Sequence, residues 1–192
     1  MRFHHSGLVA ASTETGAPLM TPEMYWIRDV EPLRLAILSR PRAGLFLDEE
    51  IAGWRAAGLT HVISLLEPPE VRLLGLLDEP AACRAQGIEL ISFPIRDRHV
   101  PASMSTAAAL VSEAARHVLQ GGAVGVHCRY GIGRSPMIAG AILGYLGVDS
   151  VSAVQMLSRA RRRNVPNTYP QEVWLHRFVR QVGEPRNNKD GQ

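Results

Sequence analysis

Residues 121–147 read GGAVGVHCRYGIGRSPMIAGAILGYLG, and their punctuation decides the fold. Ala123–His127 is a short apolar run after two glycines and reads as a strand. Ser135-Pro136 opens a second apolar run, predicting a helix over 135–146 with Pro136 at its first helical position. The seven residues 128–134 must therefore curl tightly, and Gly131 and Gly133 permit backbone angles that other residues resist. Successive amides in such a curl can point inward as an anion nest, aided by the N-terminus of the helix behind it.

Outward from this loop, strands and helices alternate. His61–Leu66 and Ile88–Phe93 read as strands, and Gly44–Leu47 as a further short one. Residues 48–57, 69–75, 78–86, 103–119, 150–163 and 170–182 read as helices. Their signals are acid in a first turn at Asp48-Glu49-Glu50 and glycine stops at Gly58, Gly87 and Gly121. Alternation of this kind predicts an α/β three-layer sandwich around a mostly parallel sheet of four or five strands. Ligands of such sheets bind at the carboxyl ends of strands, where Cys128 falls.

The bulk numbers agree with one domain. A chain of 192 residues has room for a real core, and 46% hydrophobic with 20% charged residues excludes disorder and fibrous classes. We expect a domain over 25–182, with 1–24 weakly ordered and 183–192 a mobile tail. Two cysteines, Cys83 and Cys128, make neither a disulfide framework nor a zinc cluster, which points to a reducing, cytoplasmic setting. Residues 1–20 lack the apolar core of a signal peptide, and the most apolar stretch, 137–148, is far shorter than the ~20 residues that span a bilayer. The basic run RARRR at 159–163 reads as a solvated helix end, so neither nucleic acid nor membrane is expected as a partner. The chain is expected to act as a monomer.

The loop carries its own chemistry. A thiol at the mouth of an amide cradle feels positive potential, so Cys128 should favour the nucleophilic thiolate. Arg134 can clamp two oxygens of a phosphate, and residues Arg129, Tyr130, Gly131, Ile132 and Gly133 would line the cradle. That set suits in-line attack on a phosphoryl group. A proton donor for the leaving oxygen is then needed, and Asp97 in the loop SFPIRDRHVP, 92–101, is the candidate. Ser135 can donate a hydrogen bond to the departing thiolate, while His127 reads as a residue holding the loop from behind. Glu67 and Glu70 in LLEPPE either border the site or serve the start of a helix. The phosphate loop of nucleotide-binding proteins is excluded, because Ile132 stands where its lysine belongs.

HCRYGIGRS, 127–135, resembles the His-Cys-x5-Arg-Ser/Thr signature of the cysteine-dependent protein tyrosine and dual-specificity phosphatases. Asp97 before RHVP looks like their general-acid loop, and the resemblance runs over roughly 33–180. QEVWLHRF, 171–178, is similar to the Gln-x3-Leu-His-x-Phe segment of the small kinase-associated dual-specificity group. The resemblance implies that Cys128 is the nucleophile, Arg134 the phosphate clamp and Ser135 the thiolate stabiliser. It further implies Asp97 as acid and then base, Gln171 as a residue positioning water, and no metal or cofactor. Arg129 and Tyr130 depart from the commonest loop residues, and no insert of the large tyrosine phosphatases is present. Substrate class stays open among phosphotyrosine, phosphoserine or phosphothreonine, phosphoinositides and small phosphorylated metabolites. Arg129 as the one added charge in the loop argues against highly phosphorylated inositols. Two other functions share the pattern in part: a catalytically silent module that binds phosphoproteins, and a sulfurtransferase, which needs neither the arginine clamp nor the Asp97 acid.

Overall fold

A computed structural model describes residues 23–183. Of the segments expected to be loose, 1–24 and 183–192, residues 1–22 and 184–192 lie outside the described residues. A five-stranded sheet forms the middle layer: β1 (Met24–Trp26), β2 (Arg34–Leu38), β3 (His61–Ser64), β4 (Glu89–Ser92) and β5 (Ala123–His127). The strand order is β1-β2-β5-β3-β4, parallel except for β1, which runs antiparallel to β2. The helices are α1 (Leu47–Ala56), α2 (Pro68–Leu73), α3 (Glu79–Ala85), α4 (Met104–Leu119), α5 (Arg134–Tyr145), α6 (Ser150–Arg161) and α7 (Tyr169–Gly183).

Period-two alternation splits the core. Leu35 and Ile37 of β2 and Val124 and Val126 of β5 face α4–α7, whereas Ala36, Leu38 and Ala123 join the cluster that contains Ile51 and Trp54 of α1 and Cys83 of α3. The sandwich is thus three-layered, and β5, central and fully buried, delivers its carboxyl end into the interior.

Two expectations need correction. Gly44–Leu47 is not a strand: residues 44–46 form a single 3₁₀ turn with Leu45 98% exposed, and Leu47 already opens α1. Gly44 takes a positive φ of 64°, which favours a turn over a strand. Opposite β3, the second neighbour of β5 is instead β2, in which Leu35–Leu38 is buried on both faces with no polar alternation. At the sheet edge Met24 of β1 pairs with Leu38 of β2. Finally, α5 starts at Arg134 and Pro136 is its third residue. That position costs nothing, because the first four amides of a helix have no partner within it.

Candidate active site

The turn between β5 and α5 is held from outside by its carbonyls. Arg161, the last residue of α6, donates from Nε to the Gly131 carbonyl (2.9 Å) and from Nη2 to the Tyr130 carbonyl (3.0 Å). Its guanidinium also stacks 3.8 Å above the ring of Tyr25 in β1. The Ile132 carbonyl accepts from the Asn167 amide at 2.9 Å. In a trans peptide the carbonyl and the following N–H point in opposite directions, so the amides of Gly131, Ile132 and Gly133 turn away from these partners. Gly131 has φ +65°, and a Cβ there would lie 2.9 Å from the Leu38 carbonyl oxygen. A Cβ on Gly133 would lie 2.6 Å from Asn167 Oδ1 and 2.9 Å from Gln171 Oε1. Gly131 is therefore required by its positive φ and by backbone contact, whereas a side chain at 133 would have to displace the tips of Asn167 and Gln171.

Cys128 is 3% exposed, and its Sγ lies 3.2 Å from Ser135 Oγ. Burial alone would raise its pKa. Hydrogen bonds from the Ser135 hydroxyl and amide and from the Tyr130 amide, with the charge of Arg134, outweigh burial and hold the thiol below its ordinary range.

Arg134 is 1% exposed and heavily bonded on its two terminal nitrogens. Nη1 donates to Glu70 Oε2 (2.6 Å), the Ile95 carbonyl (2.9 Å) and the Leu65 carbonyl (3.3 Å), and Nη2 to Glu70 Oε1 (2.9 Å). Nη2 also pairs with Asp97 Oδ1 at 3.1 Å. Nε is buried with no partner, a donor left for a ligand. Glu70 serves both roles considered for it: it accepts from the Glu67 amide in a capping box at the start of α2, and it grips Arg134 bidentately. Burial would raise its pKa, but the Arg134 and Glu67 hydrogen bonds lower it.

Asp97 sits on the loop after β4, its side chain 56% exposed. The next residue, Arg98, has φ +62°, an uncommon conformation for a side-chain-bearing residue. His99 Nδ1 contacts the Asp97 carbonyl at 2.8 Å, and Gln171 Nε2 of α7 donates to the His99 carbonyl at 3.0 Å. Gln171 is fully buried and its Oε1 has no partner, so it both ties down the Asp97 loop and keeps an acceptor free.

A cleft of about 220 Å³ collects these groups: Asp97, Arg98, Cys128, Arg129, Tyr130, Ile132, Gly133, Arg134, Asn167 and Gln171 line it. Ser135 touches Cys128 from behind, and His127 lies beneath the loop, outside the cleft. Asn167 and Arg161 were not anticipated as site residues. Arg161 belongs to the run read as a solvated helix end, but it is half-buried against the loop, and Arg159 of the same run pairs with Asp29 at 2.7 Å. Among the described residues no three His, Cys, Asp or Glu side chains are grouped to hold a metal ion, and no helix is long and apolar enough to cross a membrane.

No sequence-family model matches the chain, and no curated protein sequence does. Solved structures do. Kinase associated phosphatase, in a form with its catalytic-site cysteine replaced by serine, superposes with a TM-score of 0.76 at 17% identity, over 86% of this chain and 98% of that one. Tk-PTP in its active form matches at 25% identity with a TM-score of 0.65, over 85% and 97% of the two chains. PTPMT1 in complex with PI(5)P matches at 17% identity with a TM-score of 0.68, over 83% and 96%. The chain has the fold of the cysteine-dependent tyrosine and dual-specificity phosphatases.

Proposed function

We propose that this chain is a phosphomonoester hydrolase of the protein tyrosine or dual-specificity type, working through a cysteinyl-phosphate. The observation that carries the reading is the convergence of Cys128, Arg134 and Asp97 on one small cleft.

The phosphate dianion enters the nest of loop amides, and Arg134 adds its unpartnered Nε and the terminal nitrogen it shares with Asp97. Cys128 attacks phosphorus in line as a thiolate. The S–P bond forms as the P–O bond to the leaving group breaks, and Asp97 delivers its proton to the departing oxygen. In the second step Asp97 takes a proton from water, which attacks the phosphocysteine with Gln171 Oε1 as the acceptor that orients it. Thiolate leaves, stabilised by the Ser135 hydroxyl, and inorganic phosphate is released. No step calls for a metal or cofactor. Arg129, Tyr130 and Asn167 meet the rest of the substrate at the mouth of the cleft.

A phosphorylated protein is the favoured substrate. Phosphoinositides are the second reading, supported by the likeness to PTPMT1 bound to PI(5)P. A reducing, cytoplasmic setting belongs to the same proposal and is supported by two unpaired buried thiols, Cys83 and Cys128. Hydrolysis of a chromogenic aryl phosphate by the wild type, and its loss in Cys128→Ser, tests the reading. No hydrolysis with intact phosphopeptide binding would instead support the silent binding module. A panel of phosphopeptides and phosphoinositides then assigns the substrate class.

A further inference from the structure

Beneath the loop lies a buried charged pair that the chemistry above does not use. His127 ends β5, immediately before Cys128, and is fully buried. Glu79 opens α3 and is 2% exposed. Its Oε1 lies 3.0 Å from His127 Nε2, an ion-pair contact though not an aligned hydrogen bond. A carboxylate taken out of water is costly unless paired, and among the described residues its cationic partner is His127.

The surroundings limit what this pair can do. Trp54 of α1 packs against the imidazole, ring centroids 5.9 Å apart, and excludes water on that side. Leu38 of β2 and Ser64 of β3 flank His127 in the sheet, and neither carries charge. Glu50, one turn from Trp54 on α1, is engaged by Arg42. Cys83, one turn along α3 from Glu79, has its thiol pushed up to about 12 by burial and by the Glu79 charge, so it stays neutral. Cys128, the next residue, belongs to the core cluster on the other face of the sheet from Trp54. Burial opposes protonation of His127, but the charge of Glu79 prevails and raises its pKa, with Cys128 acting in the same direction.

We propose that Glu79 is a positioning residue for the reaction: its carboxylate holds His127 as an imidazolium behind the loop, and this fixed positive charge favours the Cys128 thiolate. The inference rests on Cys128 being the nucleophile. A neutral acceptor at residue 79 would orient the ring equally well but would not retain its proton, so charge and orientation can be separated.

The experiment compares wild type, Glu79→Gln and Glu79→Asp. Alkylation of Cys128 by iodoacetamide is followed across pH by mass spectrometry of its peptide, so that Cys83 does not contribute. In Glu79→Gln the midpoint should move up by about one unit, slowing alkylation below the midpoint roughly tenfold, with the alkaline plateau unchanged. The acidic limb of aryl phosphate turnover should move with it, and Glu79→Asp should recover most of the shift. In the unsubstituted protein, carbon-13 resonances of His127 should report an imidazolium at neutral pH. A Glu79→Gln profile superimposed on the wild type would overturn the proposal, as would a neutral His127 ring at neutral pH. The second result needs no variant to fold. Alkylation and resonance positions do not depend on turnover, so a protein that never hydrolyses phosphate would remove the hydrolase reading and leave these two measurements to decide the charge pair.

Discussion

Glu70→Gln isolates the contact on which the Arg134 clamp depends. The substitution keeps size and an acceptor for the Glu67 amide, so the start of α2 should survive. It removes the charge that grips Arg134 through bonds of 2.6 and 2.9 Å. Hydrogen bonds to charged groups are each worth about 1.5–3 kcal/mol, and breaking a fully buried pair costs about 3–5 kcal/mol. Two features lower that figure: the Glu70 carboxylate keeps 14% exposure, and Arg134 retains the Leu65 and Ile95 carbonyls and Asp97. A loss of about 1–3 kcal/mol is expected after this discount for solvent screening. Stability is read from urea unfolding, and the clamp from kcat/KM for an aryl phosphate, which should fall about 10–100-fold as the fork loses its orientation. The pH dependence has a definite sign. The pKa of Glu70 is lowered in the fold from its ordinary 4.5, so its contribution is fully present above that value and disappears as pH falls through the lowered one. The gap between wild type and variant should therefore be widest near neutrality and close in acid. Wild-type stability and turnover in Glu70→Gln would refute the argument, and a stability loss without a rate loss would show that the Glu70–Arg134 pair supports the fold and not the clamp.

With poor leaving groups such as an alkoxide or a tyrosine phenolate, Asp97→Asn should slow the phosphoryl-transfer burst by about 10²–10⁴, and with a strongly acidic phenol much less; equal losses for both would mean that Asp97 only shapes its loop. Arg161→Met should release the Tyr130 and Gly131 carbonyls and weaken vanadate binding about tenfold while the protein stays folded; unchanged affinity would show that the loop holds its own shape. Because the Cys128 thiol lies below its ordinary value of 9.0, iodoacetate should inactivate the protein even at or below neutral pH, and phosphate should protect; inactivation confined to alkaline solution would contradict the geometry around Sγ.

The fold was legible wherever local pattern and tertiary role coincide. Ala123–His127 is bounded by glycines and a forced turn, and it is a strand with those same ends. Ser103 stops a loop and caps α4 through the Thr106 amide. β2 was not legible, because Leu35–Leu38 is buried on both faces and a short apolar run has no period. β1 is three residues long and exists only by pairing with β2. In the site, residues near one another in sequence were readable: Cys128, Arg134 and Ser135 share one turn. Arg161 lay among similar arginines, yet helical phase carried a usable signal. Ala153 and Leu157 are buried, and Arg161 is the next residue of that i, i+4 series. Asn167 had no such signal, since its role comes from a backbone amide donating to the Ile132 carbonyl, which any residue type could supply.

Whether phosphate is transferred to sulfur is tested most directly by trapping the intermediate. Wild type and Asp97→Asn are mixed with an aryl phosphate, quenched in acid within the first turnover, and digested for mass spectrometry of the peptide carrying Cys128. A phosphoryl group should be found on Cys128, at higher occupancy in Asp97→Asn with an activated leaving group, where hydrolysis has lost its base, and on no residue of Cys128→Ser. Rapid turnover with an unmodified Cys128, or turnover that persists in Cys128→Ser, would contradict the mechanism.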